Sequence, residues 1–239
     1  MDIRVWHFVD RKLLMSKYNR IKVLVGDSLV STISKPLFRA TSTKTSELLV
    51  NGTVILPAET DRDGVSRLID YLEFVISKPT KPLPYGLRLP MTISLGVCAA
   101  ASALGMDRYV DKLWRECENL IRNCFPPYAD IDAITSFRTY PYTTRFQRLF
   151  RILVSNLAVR VWRNSILDPQ VFRAYCERSL VLDAAIKRAN EKYNILVRRR
   201  ELYEYRDREW EPIVMMDQEE DNGKIEWDRK YNGPVRERE

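Results

Sequence analysis

Apolar residues recur at every second position early in the chain and at every third or fourth position later, and this change of period constrains the fold more than any other feature. Ile21, Val23 and Val25 alternate with Lys22 and Leu24 before Gly26-Asp27 supplies a turn signal, and Leu29 to Ile33 resumes a β-rich run. A hairpin is predicted there. Thr53 to Leu56, β-branched and closed by Pro57, reads as a third strand. Between them, Ser34-Lys35-Pro36 has the form of an N-cap followed by proline in the first turn, which predicts a short helix to about Ala40. A second short helix is expected over Ser46 to Val50, ended by Gly52.

From Asp61 the period becomes helical. Val65, Leu68, Ile69, Leu72, Val75 and Ile76 form one stripe, with Asp61 or Asp63 as the cap. Pro79 to Pro90 carries four prolines and is predicted to be a loop. Thr92 to Leu104 is apolar nearly all round, which predicts a buried helix with Gly105 in the left-handed position after it. Asp107 is expected to cap the next helix, which runs through Tyr109, Leu113, Trp114, Cys117 and Ile121 to Pro126-Pro127. Beyond lie an amphipathic helix over Tyr142 to Val161 and another opened by Asp168-Pro169 that continues towards Arg200. The expected architecture is α+β, a small three-stranded sheet with a cluster of helices. Its parts are an N-terminal segment (1–19), a main domain (20–125), a helical extension (126–195) and a charged tail (196–239) expected to be largely disordered.

Chemistry-bearing patterns are sparse. Histidine occurs once, at His7, so a histidine general base has no candidate inside the main domain. Cys98, Cys117, Cys124 and Cys176 form no C-x-x-C pair, and no histidine joins them at zinc spacing. Gly26 belongs to no phosphate-cradling motif. Neither catalysis, a metal nor a cofactor is expected. The longest apolar runs fall short of the roughly 20 residues that cross a bilayer, and the first residues form no signal-peptide core. An intracellular protein of cytoplasm or nucleus, with reduced thiols and no membrane partner, is the expectation.

The net charge of +7 admits an acidic partner. The rival reading is therefore a nucleic-acid-binding regulatory protein using Arg145, Arg148, Arg151, Arg160 and Arg163, with Arg198-Arg199-Arg200. The spacing of Phe146, Phe150 and Trp162 favours core packing with arginine stems beside it, so nucleic acid is not the expected partner.

The chain also resembles a known family. Leu13 to Tyr18 followed by Ile21 to Asp27, the Ser31 to Phe38 strand-to-helix segment, Thr53-Val54-Ile55-Leu56-Pro57 and the Leu95 to Met106 helix resemble, in that order, stretches of BTB/POZ-domain proteins of the fungal type. Arg20 and Ser34 depart from the aspartate and histidine usual there. The resemblance implies a non-catalytic protein–protein interaction module for self-association or adaptor work and, for some relatives, recruitment of cullin-type ubiquitin ligases. The candidate contact residues are Trp6, Phe8, Leu13 and Leu14 of the N-terminal segment and Pro82, Pro84 and Tyr85 of the proline-rich loop. In many BTB-like domains the region before the first strand helps to join two subunits, which makes a homodimer the expected assembly.

Overall fold

The computed structural model describes residues 2–80, 82–86 and 90–205, with side chains through residue 194. The described chain divides at Asn194, with a compact unit before it and a second unit that begins at Ile195. The sheet is built first. Strand β1 (Arg20–Val25) turns through Gly26, whose φ of +57° suits a residue without Cβ, into antiparallel β2 (Ser28–Ser34). The ladder slips by one residue between Val23 and Leu24, leaving Val30 without a β1 partner. The short helices α1 (Phe8–Leu13), α2 (Lys35–Thr41) and α3 (Thr45–Leu48) flank this hairpin in sequence. The chain then forms β3 (Leu49–Val50) and β4 (Thr53–Leu56), and β4 pairs parallel to β1. The order is β2-β1-β4-β3. Its inner face carries Ile21, Val23, Val25, Ile33, Val54 and Leu56, all buried.

Helices cover that inner face. Helix α4 (Arg62–Ser77) is capped by Asp61 and buries the stripe Val65, Leu68, Ile69, Leu72, Val75 and Ile76. It packs on β2 and on α5 (Met91–Leu104), which is buried over nearly all its length and stops at Gly105 with φ +68°. Helix α6 (Asp111–Asn123) follows a single turn, Asp107–Tyr109, and packs on α5. Helices α7 (Tyr128–Phe137) and α8 (Arg145–Trp162) lie against α5 and α6, so the extension shares the core of the main domain. Tyr140 ties the two by donating to the Ala99 carbonyl at 3.1 Å. Helices α9 (Pro169–Arg178) and α10 (Leu180–Tyr205) complete the described chain.

Several expectations are corrected. The α+β class holds, but the sheet has four strands: Asn51 and Gly52 both have positive φ and close a two-residue hairpin where a helix end was expected. Ser34 precedes α2 without capping it: its hydroxyl turns to the N-terminal segment, donating to the Leu14 carbonyl and accepting from the Ser16 N–H. Asp107 accepts from the Ser102 hydroxyl and caps no helix, and Asp111 occupies the first turn of α6. Residues before Arg145 stay outside α8. Asp168 caps α9 as expected, accepting from the Val171 N–H at 3.0 Å, but α9 ends at Arg178 and α10 is a separate helix. The tail beyond residue 205 lies outside the described residues.

Burial strands acidic protons in this core, those of Cys117 and Tyr140 among them. Burial, together with the nearby Glu116, Asp130 and Glu118 charges, pushes the Cys117 thiol from 9.0 up to about 12, and burial pushes the Tyr140 hydroxyl from 10.0 up to about 12. The unfolded chain loses these protons at the lower values while the folded chain keeps them. Stability present below about pH 9 is therefore expected to decline steadily as pH rises towards about 12. Urea midpoints at about pH 8 and about pH 11 check this, and equal midpoints would contradict it.

Candidate interaction surface

The N-terminal segment is clamped to the domain by polar contacts as well as apolar ones. Asp2 caps the turn Ile3–Val5, and the Arg4 guanidinium forks onto the Asp2 carboxylate at 2.7 Å while donating to the Arg108 carbonyl at 2.8 Å. Burial alone would raise the Asp2 carboxyl, but the hydrogen bonds and charge of Arg4 outweigh it and hold it below its ordinary value. Ile3 is fully buried. Arg11 is only 2% exposed and donates to the carbonyls of Val75 (2.8 Å), Lys78 (3.0 Å) and Thr80 (3.2 Å). These lie at or just past the C-terminus of α4, where the helix dipole favours a cation. Ser34 finishes the clamp, donating to the Leu14 carbonyl and accepting from the Ser16 N–H at 3.3 Å.

This clamp divides the expected contact residues. Trp6 and Leu14 pack on the domain's own core and Phe8 is half-buried. Leu13 is 74% exposed, and it is joined outside by Val5 at 71% and Val9 at 69%. Val9 and Leu13 are four apart within α1, so they form an outward apolar stripe on that helix, while Val5 is exposed in the turn before it, across the extended Trp6 and His7. Only Leu13 of this stripe was singled out by the sequence reading. The period was there to be read, but the inward side of α1 is held by an arginine, which hid it. In the proline-rich loop, Pro82 is buried, and Tyr85 is half-buried with its ring edge-on to Tyr71 at 4.8 Å. Tyr71 donates to the Leu83 carbonyl at 3.1 Å, which leaves Leu83 and Pro84 facing out.

An open depression of about 290 Å³ lies beside the clamp, lined by Arg4 to Phe8 with Arg11 and Pro79. His7 sits on its rim, exposed, at the residue preceding α1. No group of three histidine, cysteine or acidic side chains able to hold a metal occurs among the described residues. Nor is any described helix long and apolar enough to cross a membrane. Cys98, Cys117 and Cys176 are buried and unbridged, and Cys124 is exposed.

The arginines of α8 are largely engaged within the chain. Arg145 pairs with Asp111 at 2.6 Å, and its guanidinium lies 5.9 Å from the centre of the Trp114 ring. Arg148 pairs with Glu118 at 3.1 Å, and Arg160 donates to Asn156 at 2.7 Å. Arg151 and Arg163 are exposed. Phe146 and Phe150 are buried in the core, while Trp162 is exposed. The side chains of Arg198, Arg199 and Arg200 lie outside the described residues.

The two departures from the family pattern prove to be neighbours. Arg20 stands opposite Ser34 in the β1–β2 ladder. Arg20 reaches away to Thr32 and to Glu73 of α4 at 2.7 Å, while Ser34 reaches to the N-terminal segment, so each position binds a different element to the sheet. No family model, curated protein or solved structure matches the chain.

Proposed function

We propose that this chain is a non-catalytic protein-interaction protein of BTB/POZ-like type that pairs with a second copy through the outward stripe Val9 and Leu13 of α1, together with the exposed Val5 of the preceding turn. The exposure of that stripe on a segment clamped by Arg11 carries the reading. A clamped apolar face loses little freedom on docking, whereas each of its side chains gains about 1.5–3 kcal/mol from full burial. The element order adds support, because a strand hairpin, two short helices, a strand returning beside β1 and an amphipathic helix follow the order that the resemblance implies. A cytoplasmic or nuclear setting and a cullin-type ligase subunit belong to the same proposal and rest on the resemblance.

Deleting the first fifteen residues would test the dimer badly, since it removes the buried Ile3 and Arg11 along with the stripe. Val9→Glu and Leu13→Glu are the better variants. Light scattering coupled to size exclusion is expected to report a dimer for the full chain, weakened about tenfold or more by either variant. A monomer at all concentrations, or a dimer indifferent to both variants, would refute the interface. Affinity capture with quantitative mass spectrometry tests the adaptor role separately, through recurrent enrichment of cullin subunits.

A further inference from the structure

The second face of the sheet is left largely open, with Lys22, Leu29, Val50 and Ile55 exposed on it. Alternation along a half-buried strand ordinarily leaves polar residues outside. Here the outer positions of three adjacent strands are apolar: Leu29 of β2 stands beside Leu24 of β1, and Leu24 beside Ile55 of β4. Leu29 is 57% and Ile55 61% exposed. The next row across the same face is Thr32, Lys22, Thr53 and Val50, with Val50 60% exposed. Lys22 is exposed at the centre of this row and takes part in none of the ion pairs among the described residues.

Lys22 decides what can cover the row. Stacking this face on the same face of a second copy would enclose two central lysines in one layer between sheets about 10 Å apart, while Glu73, the acid brought to the Thr32 end of the row by Arg20, is already paired with that arginine. A partner that lays apolar groups along Leu29, Leu24 and Ile55 and offers a carboxylate to Lys22 meets no such cost. The natural cover for a sheet face is a helix, whose apolar stripe spans neighbouring strands. We infer that the outer sheet face is a docking site for an amphipathic helix of another protein, with aspartate or glutamate flanking its apolar stripe. This site is separate from the Val9 and Leu13 stripe, and it stands whether or not the chain pairs with itself through that stripe.

The test is a displayed library of random peptides about four helical turns long, selected against the full chain. Enriched peptides are expected to carry apolar residues at spacings of three and four with acidic residues beside them. Their affinity should fall about tenfold or more in Ile55→Glu and in Leu29→Glu. Lys22→Glu should turn the preference from acidic to basic flanks, a readout that mere loss of folding could not produce. Thermal melting of each variant checks that the fold is kept. Enrichment of nothing above background, of peptides without acidic bias, or of peptides indifferent to Ile55→Glu and Leu29→Glu overturns the inference. Self-association that is lost in Ile55→Glu but kept in Val9→Glu would assign the face to a second copy and overturn it as well.

Discussion

Gly64→Ala is expected to destabilise the protein by about 3 kcal/mol, the upper range for forced overpacking. Propensity alone argues for the opposite sign, since alanine is favoured over glycine in a helix by about 1 kcal/mol. The crossing of α4 and α5 reverses it. A Cβ at Gly64 would overlap the carbonyl group of Gly96 and come within 2.9 Å of the Val97 nitrogen, and backbone atoms of a buried helix cannot swing aside. From the other side, a Cβ at Gly96 would press to 2.7 Å on the Asp61 carboxylate, which caps α4 by accepting from the Gly64 N–H. The two glycines thus set the distance between the helices and preserve the cap. Urea denaturation is the measurement, read as a lower midpoint at unchanged slope. Gly64→Ala at or above wild-type stability would mean that the helices do not approach as closely as described.

Arg11→Met is expected to cost about 3 kcal/mol, because a hydrogen bond to a charged group is worth about 1.5–3 kcal/mol and the buried Val75 carbonyl loses its donor outright, while the part-buried Lys78 and Thr80 carbonyls can turn to water. Methionine keeps much of the apolar stem, so the loss reports the guanidinium. The effect should also be local. Hydrogen exchange across Phe8–Leu13 should quicken more than in α5, because Arg11 is the one side chain buried within α1. At a concentration where the chain is monomeric, Leu13→Ala, at an exposed position of the same helix, should change stability by less than about 0.5 kcal/mol. Equal losses in the two variants would show that α1 is held by its apolar residues.

The parts of the fold that the sequence displayed are those where burial follows a period. β1 and β2 alternate around a glycine turn, α4 shows a stripe at three and four, and α5 is apolar throughout and ends on a glycine in the left-handed region. What stayed hidden lacks such a pattern. β3 is two residues long, so no alternation can appear, although Asn51-Gly52, which follows a helix-like run in the sequence, is itself a hairpin signal. α7 buries only Ile131 and Ile134, too few to show a stripe. α1 reads inside out, with a charge in the interior and Val9 and Leu13 in solvent, so a reading that sends apolar groups inward places Val9 and Leu13 on the wrong side. The outer sheet face was missed for the same reason, since Leu24, Leu29 and Ile55 look like core residues until the register assigns them to the open side.

The slip between β1 and β2 bears on how this protein behaves at high concentration. β2 is an edge strand of uncharged residues without proline, and its sequence reads almost alike in both directions about Ser31: Ser28 answers Ser34, Leu29 answers Ile33, and Val30 answers Thr32. Such an edge is a template for an antiparallel copy of itself. The unpaired Val30, however, sends Leu29 to the open face while Ile33 stays in the core. A second β2 centred on Ser31 would have to set an outward leucine against an inward isoleucine, and the ladder would break after a few residues. One extra residue in a strand thereby opposes the joining of two copies through their β2 edges into one continuous sheet.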